Sequence, residues 1–193
     1  MTNGNVGSGI GLMLDAQGGS ATALFHNVDA VGNGWSLFAD KGSMGYDGIR
    51  LDLRASGNAF AWFEDVVASE NSLNGIRAEI NALEGSAEAH FVGVTADENG
   101  PARIASAKEG GEGDGIWARL SSGLDDVEAS FVGVTADWNA NRGIYVSEST
   151  SAEEGWARLY FEDVQANHNG TATEEDGPEK GDGNAWYWGG GIE

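Results

Sequence analysis

A nine-residue pattern, F-x-x-V-x-A-x-x-N, recurs five times with no mismatch at its fixed positions. Anchored at Phe25, Phe63, Phe91, Phe131 and Phe161, it places Val28, Val66, Val94, Val134 and Val164 three residues on. Ala30, Ala68, Ala96, Ala136 and Ala166 come next, then Asn33, Asn71, Asn99, Asn139 and Asn169. A second anchor, the dipeptide Gly-Ile, ends at Ile10, Ile49, Ile76, Ile116, Ile144 and Ile192, and after each of the first five an anchor Phe stands fourteen to seventeen residues downstream. A single register from start to finish makes residues 1–193 one array rather than several domains, and periods of this size belong to solenoids and propellers.

The spacing around each anchor assigns faces. Two and four residues before Phe stand Ala23 and Ala21, Ala61 and Ala59, Ala89 and Ala87, Ala129 and Val127, then Leu159 and Ala157. This period of two is an inward strand face. After Ile the inward set continues as Leu12 and Leu14, Leu51 and Leu53, Ala78 and Ile80, Ala118 and Leu120, then Val146. The three-residue step from Phe to Val breaks the alternation, as a chain does on turning a corner between strands. The expectation is three short strands per repeat, with the 31 glycines against 2 prolines marking tight turns.

Three strands per turn, small and branched inward residues and a recurrent corner Asn resemble the right-handed parallel β-helix repeats of the pectate-lyase-like superfamily, over essentially the whole chain. The expected fold is all-β: a single-stranded right-handed parallel β-helix, or solenoid, of about five coils, roughly 24 Å long at the strand spacing. Stacking explains why "FVGVTAD" appears at both 91–97 and 131–137. An Asn ladder shares amide hydrogen bonds and a Phe or Val ladder makes like-with-like contacts, so stacked positions must match while corner loops need not. A four-bladed propeller, the competing repeat architecture, would need antiparallel blades and hairpin turns that the pattern lacks.

Corner lengths alternate. Long segments at 34–47, 100–114 and 170–190 flank short ones at 72–74 and 140–142, and Lys41, Lys108 and Lys180 all fall in the long ones. Neither end offers an amphipathic capping helix. The expectation is a piece of a longer array or a unit whose ends stack head to tail, with "AWYW" at 185–188 as a partial cap or junction.

With 31 acidic against 10 basic residues the chain carries a formal charge of −21, which disfavours nucleic acid as a partner. No apolar run long enough for membrane insertion is present, and no secretion signal is visible. Cys is absent, removing disulfides and thiolate chemistry. His26, His90 and His168 occupy three different repeat positions, so no metal site shared among them is expected. The segment "GGEGDGI" at 110–116 fails the glycine-aspartate calcium nonapeptide by one position. Asp176, Glu179, Asp182 and Asn184 supply oxygens for calcium without a recognised loop spacing, so no cofactor is expected.

Sites in a stacked fold assemble across repeats, so outward columns are read instead of linear motifs. One column runs Thr22, Phe60, Glu88, Glu128, Arg158, and its neighbour runs Leu24, Trp62, His90, Ser130, Tyr160. Trp62, Glu88, His90, Glu128, Arg158 and Tyr160 form the candidate binding patch, with carboxylates able to raise one another's pKa beside groups suited to proton transfer. A second column, Gly11, Arg50, Arg77, Trp117, Tyr145, offers guanidinium and aromatic planes. No catalytic residue is assigned. The expected function is a non-catalytic extracellular or cell-surface module: a rigid spacer, adhesin segment or self-assembling filament subunit, partnering itself. The alternative, implied by the resemblance, is a polysaccharide lyase or hydrolase, or a sugar-binding module, acting on an exterior sheet.

Overall fold

The computed structural model describes residues 1–2, 5, 7–34, 46–100, 113–151, 155–170 and 185–189, and their regular structure is all β. Strands that begin at Gly-Ile are β1 (Ile10–Ala16), β3 (Ile49–Ala55), β5 (Ile76–Ala82), β7 (Ile116–Ser122) and β9 (Ile144–Thr150). Strands that lead through Phe are β2 (Ala21–Asp29), β4 (Ala59–Val67), β6 (Ala87–Val92), β8 (Val127–Val132) and β10 (Ala157–Glu162), and β11 spans Ala185–Gly189. Among the described residues the odd strands form a six-stranded sheet in the order β1-β3-β5-β7-β9-β11, and the even strands a five-stranded sheet in the order β10-β8-β6-β4-β2. All pairs are parallel. The chain therefore crosses from one sheet to the other at every step.

Both sequence anchors are register partners. Ile10, Ile49, Ile76, Ile116 and Ile144 align across one sheet. Phe25, Phe63, Phe91, Phe131 and Phe161 align across the other. The inner faces of both sheets, with Val66, Val94, Val134, Ala68, Ala96 and Ala136, share one core. Successive Phe rings stack 4.7, 4.8, 4.8 and 5.1 Å apart.

Val28–Asp29 still pairs with Val66–Val67 at the ends of β2 and β4, and beyond them the third strand expected in each repeat is reduced to single bridges, Val67 to Thr95, Thr95 to Thr135 and Thr135 to Gln165. Two backbone corners explain the reduction. Two residues after each Phe, at Asn27, Asp65, Gly93, Gly133 and Asp163, φ lies between 50° and 61°. Seven residues after each Phe, at Gly32, Glu70, Glu98, Trp138 and His168, it lies between 55° and 67°. A left-handed residue breaks the extended backbone locally, so only four residues lie between the two corners to pair with the neighbouring repeats. The first corner is also why Val comes three residues after Phe.

At the second corner the chain leaves the ladder, and asparagines replace it. Each ladder Asn accepts, through its Oδ1, both the backbone N–H and the Nδ2–H of its counterpart one repeat earlier. The distances run from 2.8 to 3.3 Å along Asn5, Asn33, Asn71, Asn99, Asn139 and Asn169. The remaining amide hydrogen reaches an Ala carbonyl, as Asn71 Nδ2 to Ala30 O and Asn169 Nδ2 to Ala136 O, both 2.9 Å. The glycine of each Gly-Ile makes room for this ladder. A Cβ added at Gly9, Gly48, Gly75, Gly115 or Gly143 would stand 2.5 to 2.7 Å from Nδ2 of Asn33, Asn71, Asn99, Asn139 or Asn169 in turn. The two anchors are thus the two halves of one contact.

The residue after the ladder Asn separates long corners from short ones. Gly34, Gly100 and Gly170 take φ of 82°, 67° and 67° in the three repeats with long insertions. Ser72 and Ala140 stand there in the short corners. Apart from their flanks, the long segments lie outside the described residues, together with Lys41, Lys108, Lys180, Ile192 and the acidic set Asp176, Glu179, Asp182 and Asn184.

One core position breaks the pattern. Glu148 of β9 stands between Gly189 of β11 and Leu120 in a column that continues through Ile80, Leu53 and Leu14. It is 2% exposed, and neither carboxylate oxygen has a well-formed hydrogen bond. Burial pushes its pKa up to about 7, with partial relief from the Ala129 backbone and a further push from Glu128. The fold favours the protonated form. Its contribution is therefore full below about pH 4.5, falls as pH rises, and is gone above about pH 7.

Glu148→Leu should raise stability by about 3 kcal/mol more at pH 8 than at pH 4, measured by urea unfolding at both. In the same assay Gly115→Ala should cost about 2 kcal/mol by forcing the ladder apart. Gly11→Ala, where no atom lies within 4 Å of the added carbon, should be neutral.

Candidate functional site

The even strands bury Ala and Phe and so turn the residues between them outward. Register places Phe60, Glu88, Glu128 and Arg158 in one column and Trp62, His90, Ser130 and Tyr160 in the next. The patch read from the sequence is thus contiguous on one sheet face, but its members do not act as one group.

Contacts are closest around His90, whose side chain is 14% exposed. Its ring centre lies 5.2 Å from that of Trp62 and 5.4 Å from that of Phe60. Its Nδ1 is 2.6 Å from Ser130 Oγ. On the other side Nε2 is 3.6 Å from Glu88 Oε2, and Glu88 Oε1 accepts a 2.8 Å bond from Ser86 Oγ. A carboxylate, an imidazole and a hydroxyl are therefore aligned across two neighbouring repeats, pinned by two aromatic rings. The sequence named Glu88, His90 and Trp62 for this site, but not Phe60 or Ser130. Both were legible as register neighbours of named residues.

Of the other three, Glu128 is the register partner of Glu88, while Arg158 and Tyr160 lie one repeat further on. Arg158 forms none of the ion pairs among the described residues, although it comes after Glu128 in the column. Tyr160 donates to Glu162, a bond that raises its phenol pKa and occupies its hydroxyl hydrogen. On a paired sheet the neighbouring backbone N–H groups are committed to ladders, and an oxyanion formed at Ser130 would lack the preorganised donors that acyl transfer depends on. The ring pair flanked by polar groups suits contact with a ring-bearing ligand.

The opposite sheet carries the second column. Arg50, Arg77, Trp117 and Tyr145 align in register. The Arg77 guanidinium lies 4.8 Å above the Trp117 ring, Trp117 stacks 5.9 Å from Tyr145, and the Arg142 guanidinium lies 3.9 Å above Tyr145. Arg142 is also anchored inward. Its Nε and Nη2 donate to the two oxygens of Asp114 at 3.0 and 2.8 Å.

Asp114 is fully buried and belongs to a second corner ladder. Its N–H donates to Asn74 Oδ1 at 3.0 Å, and Asn74 Nδ2 donates to Asp47 Oδ1 at 2.9 Å. Burial pushes both aspartates above the ordinary carboxylate range, and at Asp114 the bonds and charge of Arg142 oppose that push without cancelling it.

No family model, curated protein or solved structure matches this chain. Among the described residues, metal-ligating groups converge at His26, Glu64 and Asp65, one column along the same sheet face from Trp62 and His90.

Arg142→Ala should destabilise the chain by about 3 kcal/mol, because it leaves a buried carboxylate without its cation. Adding Asp114→Asn should recover most of the loss, since Asn74 already fills the same position one repeat earlier. Urea unfolding of the single and double variants checks this. A loss unaltered by the second substitution would mean that Arg142 acts through its packing on Tyr145.

Proposed function

We propose that this chain is a non-catalytic structural module of an extracellular or cell-surface protein. In this reading it coils as a right-handed parallel β-helix of the pectate-lyase-like kind. It works as a rigid spacer, adhesin segment or self-assembling filament subunit. The observation that carries the reading is the unbroken internal stack. Five Phe rings lie 4.7 to 5.1 Å apart beside an Asn ladder that runs from Asn5 to Asn169. Such matched stacking resists bending and leaves little freedom for the closures that many enzymes use.

Self-association is supported by β10, an edge strand of its sheet among the described residues, where Phe161 is 43% and Tyr160 51% exposed. A second copy with an edge strand laid along β10 would continue both the ladder and the Phe stack. The net charge of −21 opposes this contact, so salt should favour it. A second reading, sugar binding on the outer even-strand face, rests on the Phe60, Trp62 and His90 ring cluster.

Light scattering with negative-stain electron microscopy, across protein and salt concentration, should find rods that lengthen with both, and Phe161→Asp should abolish them. A compact monomer under every condition would contradict self-association. Retention of that monomer on an immobilised polysaccharide, lost in Trp62→Ala, would favour the sugar-binding reading.

A further inference from the structure

His26 and Glu64 are register partners on β2 and β4, and Asp65 is the left-handed residue next along the chain. His26 Nδ1 stands 3.3 Å from Glu64 Oε2. One ligand atom from each of the three residues lies within 4.8 Å of the others, with His26 and Asp65 exposed and Glu64 half-buried.

These separations match a coordination shell. A zinc-like ion holds nitrogen and oxygen ligands at about 2.0–2.2 Å, so two ligands of a tetrahedral site stand roughly 3.3–3.6 Å apart. The His26 to Glu64 distance already has this value. Asp65, whose Oδ1 stands beside Gly93, has to close the remainder, about 1.5 Å at most, by turning its carboxylate toward His26. Gly93 and Gly133 occupy the Asp65 position in the next two repeats and bring no competing side chain. Exposure on the solvent side leaves the remaining coordination positions to water.

From these observations we propose that His26, Glu64 and Asp65 bind a divalent transition ion of the zinc, cobalt, nickel or copper group. The imidazole decides the class of ion. Carboxylates on a surface this acidic attract any cation, but calcium and magnesium take oxygen ligands, whereas borderline metals prefer a shell that includes imidazole. The ion would bridge two consecutive repeats at the corner where the regular ladder is interrupted by Asn27 and Asp65. Because the unfolded chain lacks this juxtaposition, binding stabilises the fold by mass action.

The test is isothermal titration of the full chain with zinc chloride in excess magnesium, which occupies the generic acidic surface. Cobalt absorption reports on the coordination. One zinc per chain is expected, with a rise in melting temperature. His26→Ala and Glu64→Gln should each weaken binding by at least about 10-fold. His90→Ala and His168→Ala should leave it unchanged. These residues are at the surface, so circular dichroism of the metal-free variants should match the parent. Zinc binding that magnesium suppresses, or that survives His26→Ala undiminished, would overturn the proposal, and so would cobalt spectra that show oxygen ligands only.

Discussion

A parallel ladder needs every backbone N–H to find a carbonyl on the neighbouring strand, and at a corner it cannot. Here the carboxamide of one asparagine per repeat takes over, accepting the orphaned N–H and the preceding amide through a single oxygen. An unpaired buried amide costs about 1–3 kcal/mol, so an apolar residue at any interior rung would strand two donors at once. The ladder also dictates its surroundings. Its Nδ2 groups fill the space where the glycine of the preceding Gly-Ile would carry a side chain, which ties the Asn, the Gly and the entry angle of the adjoining strand into one unit.

Once that corner is fixed, the chain beyond it is free. A Gly in the left-handed region after the Asn releases a long excursion at Gly34, Gly100 and Gly170, while Ser72 and Ala140 return the chain at once. Insertions of very different length therefore leave the register of both sheets intact. The outer faces enjoy a similar independence, because strand alternation separates them from the core. Arginine and aromatic planes cover one sheet, and an imidazole between a carboxylate and a hydroxyl sits on the other. Glu148 is the exception, an acid in a Leu column whose burial couples the core to pH.

Much of this was legible because stacking forces identity. Within the described residues the Phe, Val, Ala and Asn positions and the first five Gly-Ile positions read from the sequence are the ones that meet in space, whereas Ala185 rather than Ile192 stands against Ile144, and the outward columns at Glu88 and His90 fall in the expected register. The third strand was over-read. Hydrophobic spacing shows that Val and Ala point inward, but not that left-handed residues on either side cut the stretch short. Asn5 was missed because no Phe precedes it, although its distance to Ile10 equals that from Asn71 to Ile76 and from Asn139 to Ile144. Glu148 lacks any linear signal except its place four residues after Ile144. The meeting of His26, Glu64 and Asp65 was hidden because each seemed unremarkable within its own repeat.

Hydrogen exchange of the asparagine side-chain amides, tracked in a nitrogen-15 correlation spectrum after transfer to deuterated water, probes the ladder directly. The Nδ2 protons of Asn71, Asn99 and Asn139 are buried and bonded, so they should persist as long as the backbone amides of β5 and β7, while those of Asn81 and Asn167 exchange within the dead time. Loss of the ladder protons at the rate of free carboxamides would contradict a corner held by asparagines, and with it the explanation of the repeat.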